Sequence, residues 1–444
     1  MLISTVLQIG RCAPEIRPNV ILISLDTVRA DHLSVYGYNR ATTPNLHRLA
    51  REGVVFDQAF TQAPWTVSAH MSVFTSLYPE AHKVSHLTPQ SETVKTLPEL
   101  LRAAGYSTGG FVAPILRGYG FAKGFQHYFT PSRARPAELM IDRALKWLAR
   151  DPADPVLQEE PFFLFLHLFD AHYPYEPPWP FDTAYVSSYS PDIREISGSH
   201  PYWQEKNLTA DELFQTVALY DGEIRYMDHA LGRFFERLQE LSVYDSSLIL
   251  VMSDHGEGFL EHGLMNHGNS VYEELIRVPL IVRFPGGTFK GQRVGSPVQL
   301  INIAPTILEF VGAEPLEMSQ GFSLMGPIGS KSHRPRLVHA VEGYADCVRT
   351  SSWKLIQNPS ARFTKIPRSL KVKYELYDLE KDAGEQKNLA SNLPDRVHSM
   401  AKALQRLKKS NLELRMRIHD SLKAYPIELT EEQERNLRSL GYIQ

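Results

Sequence analysis

Short, uninterrupted apolar runs punctuate the chain, and stretches of helical spacing separate them. The first run, Asn19-Val-Ile-Leu-Ile-Ser-Leu-Asp26, is rich in branched side chains and ends on a carboxylate. A segment apolar at every position needs cover on both faces, which is the pattern of a parallel strand inside a sheet. Comparable runs recur at Pro161–Leu168, Ser247–Asp254 and Val278–Phe284. Between them, Thr43–Glu52, Leu97–Ala104, Ala137–Arg150 and Ala210–Leu241 carry apolar residues at helical spacing. Thr43-Pro44 offers a cap and a first-turn proline, and Gly105 stops the second helix. The alternation predicts an α/β protein with a mostly parallel sheet flanked by helices. Asp26 then falls at the carboxyl end of its strand, where open α/β sheets place ligands.

The pattern changes after about residue 330. Strand-like pieces at Val348–Gln357 and Lys373–Leu379 precede charged helices from Pro394 onward. The expectation is a main domain over 18–330 and a smaller C-terminal α+β subdomain over 331–444. Ser187–Asn207, rich in Ser, Pro and Tyr, forms a long excursion, either an inert surface loop or a wall near a substrate entrance. Residues 1–17 are expected to be a leader. Met1–Ile9 is apolar but lacks a basic flank and a small-residue cleavage site, so a disordered leader and a poor signal sequence both fit. No later run approaches the roughly 20 apolar residues of a membrane-spanning helix. The compartment stays open.

Charge narrows the partners. The 444 residues carry a net charge of -3 with no long single-sign run, which removes the electrostatic case for nucleic acid or an anionic membrane surface. A small polar substrate is expected. With only Cys12 and Cys347 present, neither a disulfide framework nor a thiolate metal cluster can be built.

Three distant places end a predicted strand or open a helix with residues that bind cations: Asp26, Thr66 and the pair Asp254-His255. Two carboxylates, an imidazole and a hydroxyl suit Zn, Mn, Mg or Ca to different degrees. Taken singly, Asp26 is equally a turn or capping residue and Thr66 equally an N-cap. Together they make a candidate metal centre.

The blocks around them resemble a known family. Asn19 to Asp31, Thr43-Pro-Asn-Leu46 and Ala63-Pro-Trp-Thr66-Val-Ser-Ala-His70 through His82 look like the N-terminal half of the sulfatases of the alkaline phosphatase superfamily. Asp170-Ala-His172-Tyr-Pro174, Tyr220-Asp-Gly-Glu-Ile224, Ser253-Asp-His-Gly256 and Tyr272 to Pro279 resemble that family's later blocks, in the same order. Leu376 to Glu385 and Leu440-Gly-Tyr442 resemble its C-terminal subdomain. The resemblance implies an alkaline-phosphatase-like fold and a metal-dependent hydrolase of sulfate or phosphate esters. Asp26, Thr66, Asp254 and His255 would hold one divalent ion. Sulfatases commonly carry a second Asp after the first, where this chain has Thr27. That loss of charge implies a single-metal site, and His255 in place of the amide of calcium sulfatases tilts the metal toward Mn or Zn, with Ca or Mg as alternatives.

The nucleophile position departs from the pattern. Sulfatases place there a Cys or Ser that becomes formylglycine, followed after one residue by Pro-Ser-Arg; this chain has Thr66, with His70 at the arginine position. Threonine cannot form that aldehyde, so a metal-activated alkoxide is the chemistry implied, helped by the N-terminus of a helix expected over Ala69–Leu77. His172, His267 and His70 would be the remaining catalytic or anion-contacting groups. His262 fits a supporting partner or a plain loop residue. A Lys-x-His block usual after Gly105-Tyr-Ser-Thr is missing, with Arg117 as a candidate replacement. The implied partner is a small anionic ester, on a glycan or a lipid headgroup. Alternatives are a phosphoester or phosphonate hydrolase, a phosphotransferase, and a catalytically silent homologue that binds an anionic ligand.

Overall fold

The computed structural model describes residues 17–84, 93–133, 136–149, 160–186, 188–190, 193, 208–329, 337–342, 345–358 and 372–419. Residues 1–16 of the expected leader, most of the Ser187–Asn207 excursion and Leu440–Tyr442 lie outside the described residues.

Eight described strands form the main sheet: β1 (Asn19–Leu25), β2 (Val54–Phe56), β3 (Ser107–Phe111), β4 (His127–Phe129), β5 (Phe162–Leu168), β6 (Ser247–Ser253), β7 (Leu280–Arg283) and β8 (Gln292–Val294). Their spatial order is β8-β2-β7-β6-β1-β5-β3-β4. β1 pairs in parallel with both β5 and β6. Along it, Val20 and Leu22 enter one apolar core while Ile21, Ile23 and Leu25 enter the other. This is why Val20, Ile21, Leu22 and Ile23 are apolar at consecutive positions. Within the mostly parallel sheet, the run Val278–Phe284 supplies β7 only over Leu280–Arg283, and this strand runs antiparallel to both β6 and β2. A short buried run carries no information about strand direction.

Described helices cover both faces, among them α1 (Pro44–Arg51), α2 (Thr66–Thr75), α3 (Ala137–Ala149) and the long α4 (Ala210–Glu240). Thr43 does not cap α1 with its side chain. Asp228 of α4 does that work, accepting from the Asn45 and Leu46 amides at 3.0 and 2.8 Å. α4 itself opens on a reciprocal Thr209–Glu212 capping box.

At the C-terminus a separate antiparallel sheet has the order β9 (Val338–Glu342), β10 (Ala345–Arg349), β11 (Trp353–Gln357), β12 (Tyr374–Asp378). What the sequence offered as one strand-like piece, Val348–Gln357, is a hairpin turning at Thr350–Ser352. The charged helix α5 (Pro394–His419) packs on this sheet through Met400, Ala401 and Leu404. No helix among the described residues is long and apolar enough to cross a membrane.

Candidate active site

Strand register assembles the site. Leu25 of β1 lies level with Leu168 of β5 and Ser253 of β6, and Ser24 lies level with His167. Asp26 and Asp254, the residues that follow β1 and β6, therefore emerge side by side. The turn after β1 is held tightly: the Asp26 amide donates to the Leu168 carbonyl at 2.9 Å, and the Thr27 amide to Asp254 Oδ1 at 3.2 Å. Thr27 has φ 57°, an unusual conformation for a β-branched residue. The Tyr220 hydroxyl secures it, donating to the Thr27 carbonyl (2.8 Å) and accepting from the Arg29 amide (3.0 Å).

Helix α2 starts at Thr66 itself, three residues before the expected Ala69, and Trp65 occupies the cap position. Thr66 is thus a first-turn residue rather than the cap. Its Oγ1 lies 3.2 Å from His255 Nε2. His255 Nδ1 donates to the Gly256 carbonyl at 2.9 Å, which leaves Nε2 as the basic atom facing the cluster. Gly256 admits no side chain, since a Cβ there would lie 1.9 Å from the Glu274 carbonyl oxygen.

The donors present fit a divalent cation. Asp26, Asp254 and His255 bring ligand atoms within 4.8 Å of one another. Asp26 Oδ1 and Asp254 Oδ2 are buried without a hydrogen-bond partner among the described residues. Such oxygens are costly to bury unless a cation or donor meets them. Burial pushes the Asp26 carboxyl up to about 7, a rise the nearby Glu257 reinforces. Burial also opposes charge on His255, yet Asp254 and Asp26 beside it carry its pKa above the ordinary value.

Sequence reasoning missed His167. Its Nε2 meets Asp26 Oδ2 at 2.8 Å, and with His70 and Asp254 it forms a second set of closely spaced ligand atoms. The signal was a lone imidazole one residue from the end of an otherwise apolar strand. His70 sits T-shaped against His167, with ring centres 4.7 Å apart. Both its nitrogens are engaged, Nε2 with Ser24 Oγ and Nδ1 with the Thr66 carbonyl, each at 2.8 Å. Burial depresses the pKa of His70 to about 3 and of His167 to about 4, so both rings are neutral.

On the other side, His267 lies 4.4 Å from His255 and 5.0 Å from His172, ring centre to ring centre. His267 Nδ1 is paired with Glu257 at 3.0 Å, and Glu257 also accepts from the Tyr175 hydroxyl at 3.0 Å. Glu257, two residues past His255, was also missed; burial pushes its carboxyl up to about 8. His172 Nδ1 donates to the Tyr173 carbonyl at 2.7 Å. Two expected candidates lie elsewhere. Arg117 donates to the Pro131 carbonyl at 2.5 Å. His262 bonds Glu274 at 2.7 Å and stacks on Tyr272 at 3.6 Å.

A family model described as Sulfatase matches residues 18–313. The chain belongs to the sulfatase family. A second model, N-sulphoglucosamine sulphohydrolase, C-terminal, matches residues 260–414. Among sulfatase relatives, an arylsulfatase of Clostridium perfringens is 24% identical, with 93% of this chain and 98% of the relative covered. A Delta 4,5-hexuronate-2-O-sulfatase of Bacteroides thetaiotaomicron is 23% identical, with 85% of each chain covered. The phosphonate monoester hydrolase of Agrobacterium radiobacter has the same fold at a TM-score of 0.71 and 20% identity, covering 89% of this chain and 96% of that one. The expected alkaline-phosphatase-like fold and sulfatase membership are thereby borne out, and the chain is an ester hydrolase by family.

Proposed function

We propose that this sulfatase-family hydrolase cleaves a sulfate ester by attack of Thr66, with Asp26, Asp254 and His255 holding one divalent ion. The observation that carries the reading is the approach of Thr66 Oγ1 to His255 Nε2 beside two buried, unpartnered carboxylate oxygens. An ion at those donors would supply Lewis acidity, lowering the pKa of the threonine hydroxyl and balancing charge on the ester.

The chain's own residues do the rest. Thr66 Oγ1 forms a bond to the sulfur while the bond from sulfur to the ester oxygen breaks, giving a threonyl sulfate and a free alcohol. Water then cleaves the threonyl ester and restores the hydroxyl. The N-terminus of α2 places its positive dipole end behind the attacking oxygen. His267, held through Nδ1 by Glu257, is suited to donate to the anion from Nε2. His172, neutral and with its Nδ1 proton fixed on the Tyr173 carbonyl, takes up the Thr66 hydroxyl proton at Nε2 and passes it to the leaving oxygen, which departs as the alcohol. His70 acts indirectly: by bonding the Thr66 carbonyl and Ser24 it positions the first turn of α2 against β1. The same threonine supports phosphate or phosphonate esters as the alternative substrate class, because a phosphothreonine is cleaved by the same two-step route.

The test is turnover of 4-nitrophenyl sulfate, phosphate, phenylphosphonate and a phosphodiester with Mn, Zn, Ca or Mg supplied. Thr66→Ala is expected to lower kcat by roughly three orders of magnitude or more on the preferred ester. Equal rates for Thr66→Ala and wild type would remove Thr66 as nucleophile. Failure to bind any of the four ions would remove the metal centre.

A further inference from the structure

A cavity of about 770 Å3 opens beside the cluster, with His172 in its wall. Its acidic lining is unusual for an enzyme of anions. Glu138 and Asp142 come from α3, Asp170 and Glu176 from the segment after β5, and Glu223 from α4. The rings of Phe169, Tyr173 and Tyr226 complete its walls, and among the described lining residues there is no Lys or Arg. Arg233 pairs with Glu138 at 2.8 Å but lines a neighbouring cavity. Burial, and His267 beside it, keep His172 neutral.

Two of the carboxylates are short of partners. Glu223 is only 5% exposed, and its one donor among the described residues is the Glu176 amide, at 2.8 Å. Asp170 Oδ1 accepts from the Ala137 amide at 3.0 Å, while Oδ2 is shielded from solvent with no hydrogen-bond donor among the described residues. Burial pushes both carboxyls up, and for Glu223 the neighbouring Asp170 adds to the rise. Carboxylates in this condition, walled by aromatic rings, make a site where a positive charge is stabilised by both.

We infer that this cavity receives the alcohol portion of the substrate and selects one carrying a cationic nitrogen, an ammonium or amine, held by Asp170 and Glu223 against the Phe169, Tyr173 and Tyr226 rings. The inference rests on the ester-hydrolase reading and adds the substrate class to it. Alcohols bearing carboxylates or several sulfates are repelled by the same lining.

Binding and turnover test it separately. Tetramethylammonium chloride titrated calorimetrically at constant ionic strength, against sodium chloride, is expected to bind the wild-type protein saturably. Asp170→Asn and Glu223→Gln keep an acceptor for the Ala137 and Glu176 amides and are expected to weaken binding about tenfold. Asp142→Asn, at an exposed position on α3 where folding is not at stake, is expected to weaken it severalfold. In the second arm, the preferred acid group is esterified with 2-(trimethylammonio)ethanol, its uncharged isostere 3,3-dimethylbutanol, or 4-hydroxybutanoate. The expected order of kcat/KM is ammonium, then neutral, then carboxylate, with about tenfold steps that collapse in the variants. No ammonium binding above sodium, or equal kcat/KM for the ammonium and neutral esters, overturns the inference. Loss of all turnover, the 4-nitrophenyl esters included, counts against the hydrolase reading, and ammonium binding still decides the subsite.

Discussion

Asp26 Oδ2 and His167 Nε2 meet at 2.8 Å across adjacent strands, both fully buried. The imidazole fixes the carboxylate so that Oδ1 alone is left toward the candidate ion. Partners of this kind typically contribute about 10- to 100-fold in metal affinity. His167→Ala is therefore expected to weaken Mn or Zn binding within that range, read by titration of metal-stripped protein. An unchanged Kd would show that Asp26 needs no such support.

Tyr220 anchors the turn that presents Asp26. Tyr220→Phe leaves the Thr27 carbonyl and the Arg29 amide without the bonds they make to its hydroxyl. Buried groups orphaned in this way cost about 1–3 kcal/mol each at most, and the strained φ of Thr27 loses its restraint. The expected result is a lower urea midpoint together with a weaker metal site. A variant as stable as wild type, with the same metal affinity, would show that the turn holds itself.

A pH effect is expected away from the active site. His339 of β9 meets Glu80 at 2.8 Å, and Asn411 of α5 donates to the same carboxylate at 3.0 Å. Burial opposes charge on both, but each is the other's counter-ion, so His339 is raised and Glu80 lowered. A raised histidine stabilises below its unfolded pKa of about 6.5, and that contribution is lost as pH rises through the folded value. A lowered glutamate stabilises above its unfolded pKa of about 4.3, and that contribution is lost as pH falls. The Tm difference between wild type and Glu80→Gln should be greatest between about pH 4.5 and 6.5 and shrink toward pH 9. A difference independent of pH would remove the ion pair as its cause.

Much of this was legible in the chain. The buried strands ending at Asp26 and Asp254 announced themselves because parallel strands covered on both faces are apolar throughout. Thr66 was legible from its motif position alone. His167 was not, since its role depends on Ser24 and His167 lying level on neighbouring strands, and register is invisible in one segment. Strand direction at Leu280–Arg283 was hidden for the same reason. Asp228 capping α1 is likewise a contact between helices 183 residues apart in sequence.

Because Asp26, His167 and Asp254 come from three neighbouring strands, their convergence is also a statement about alignment. A slip of one residue turns every side chain of a strand to the opposite face. Such a slipped sheet would keep its circular dichroism and much of its apolar contact yet lose the candidate ion site. With the proposed metal centre, stoichiometric capture of a divalent cation becomes a gauge of refolding fidelity, able to separate correctly threaded molecules from compact, misaligned ones that ordinary spectroscopy counts as native.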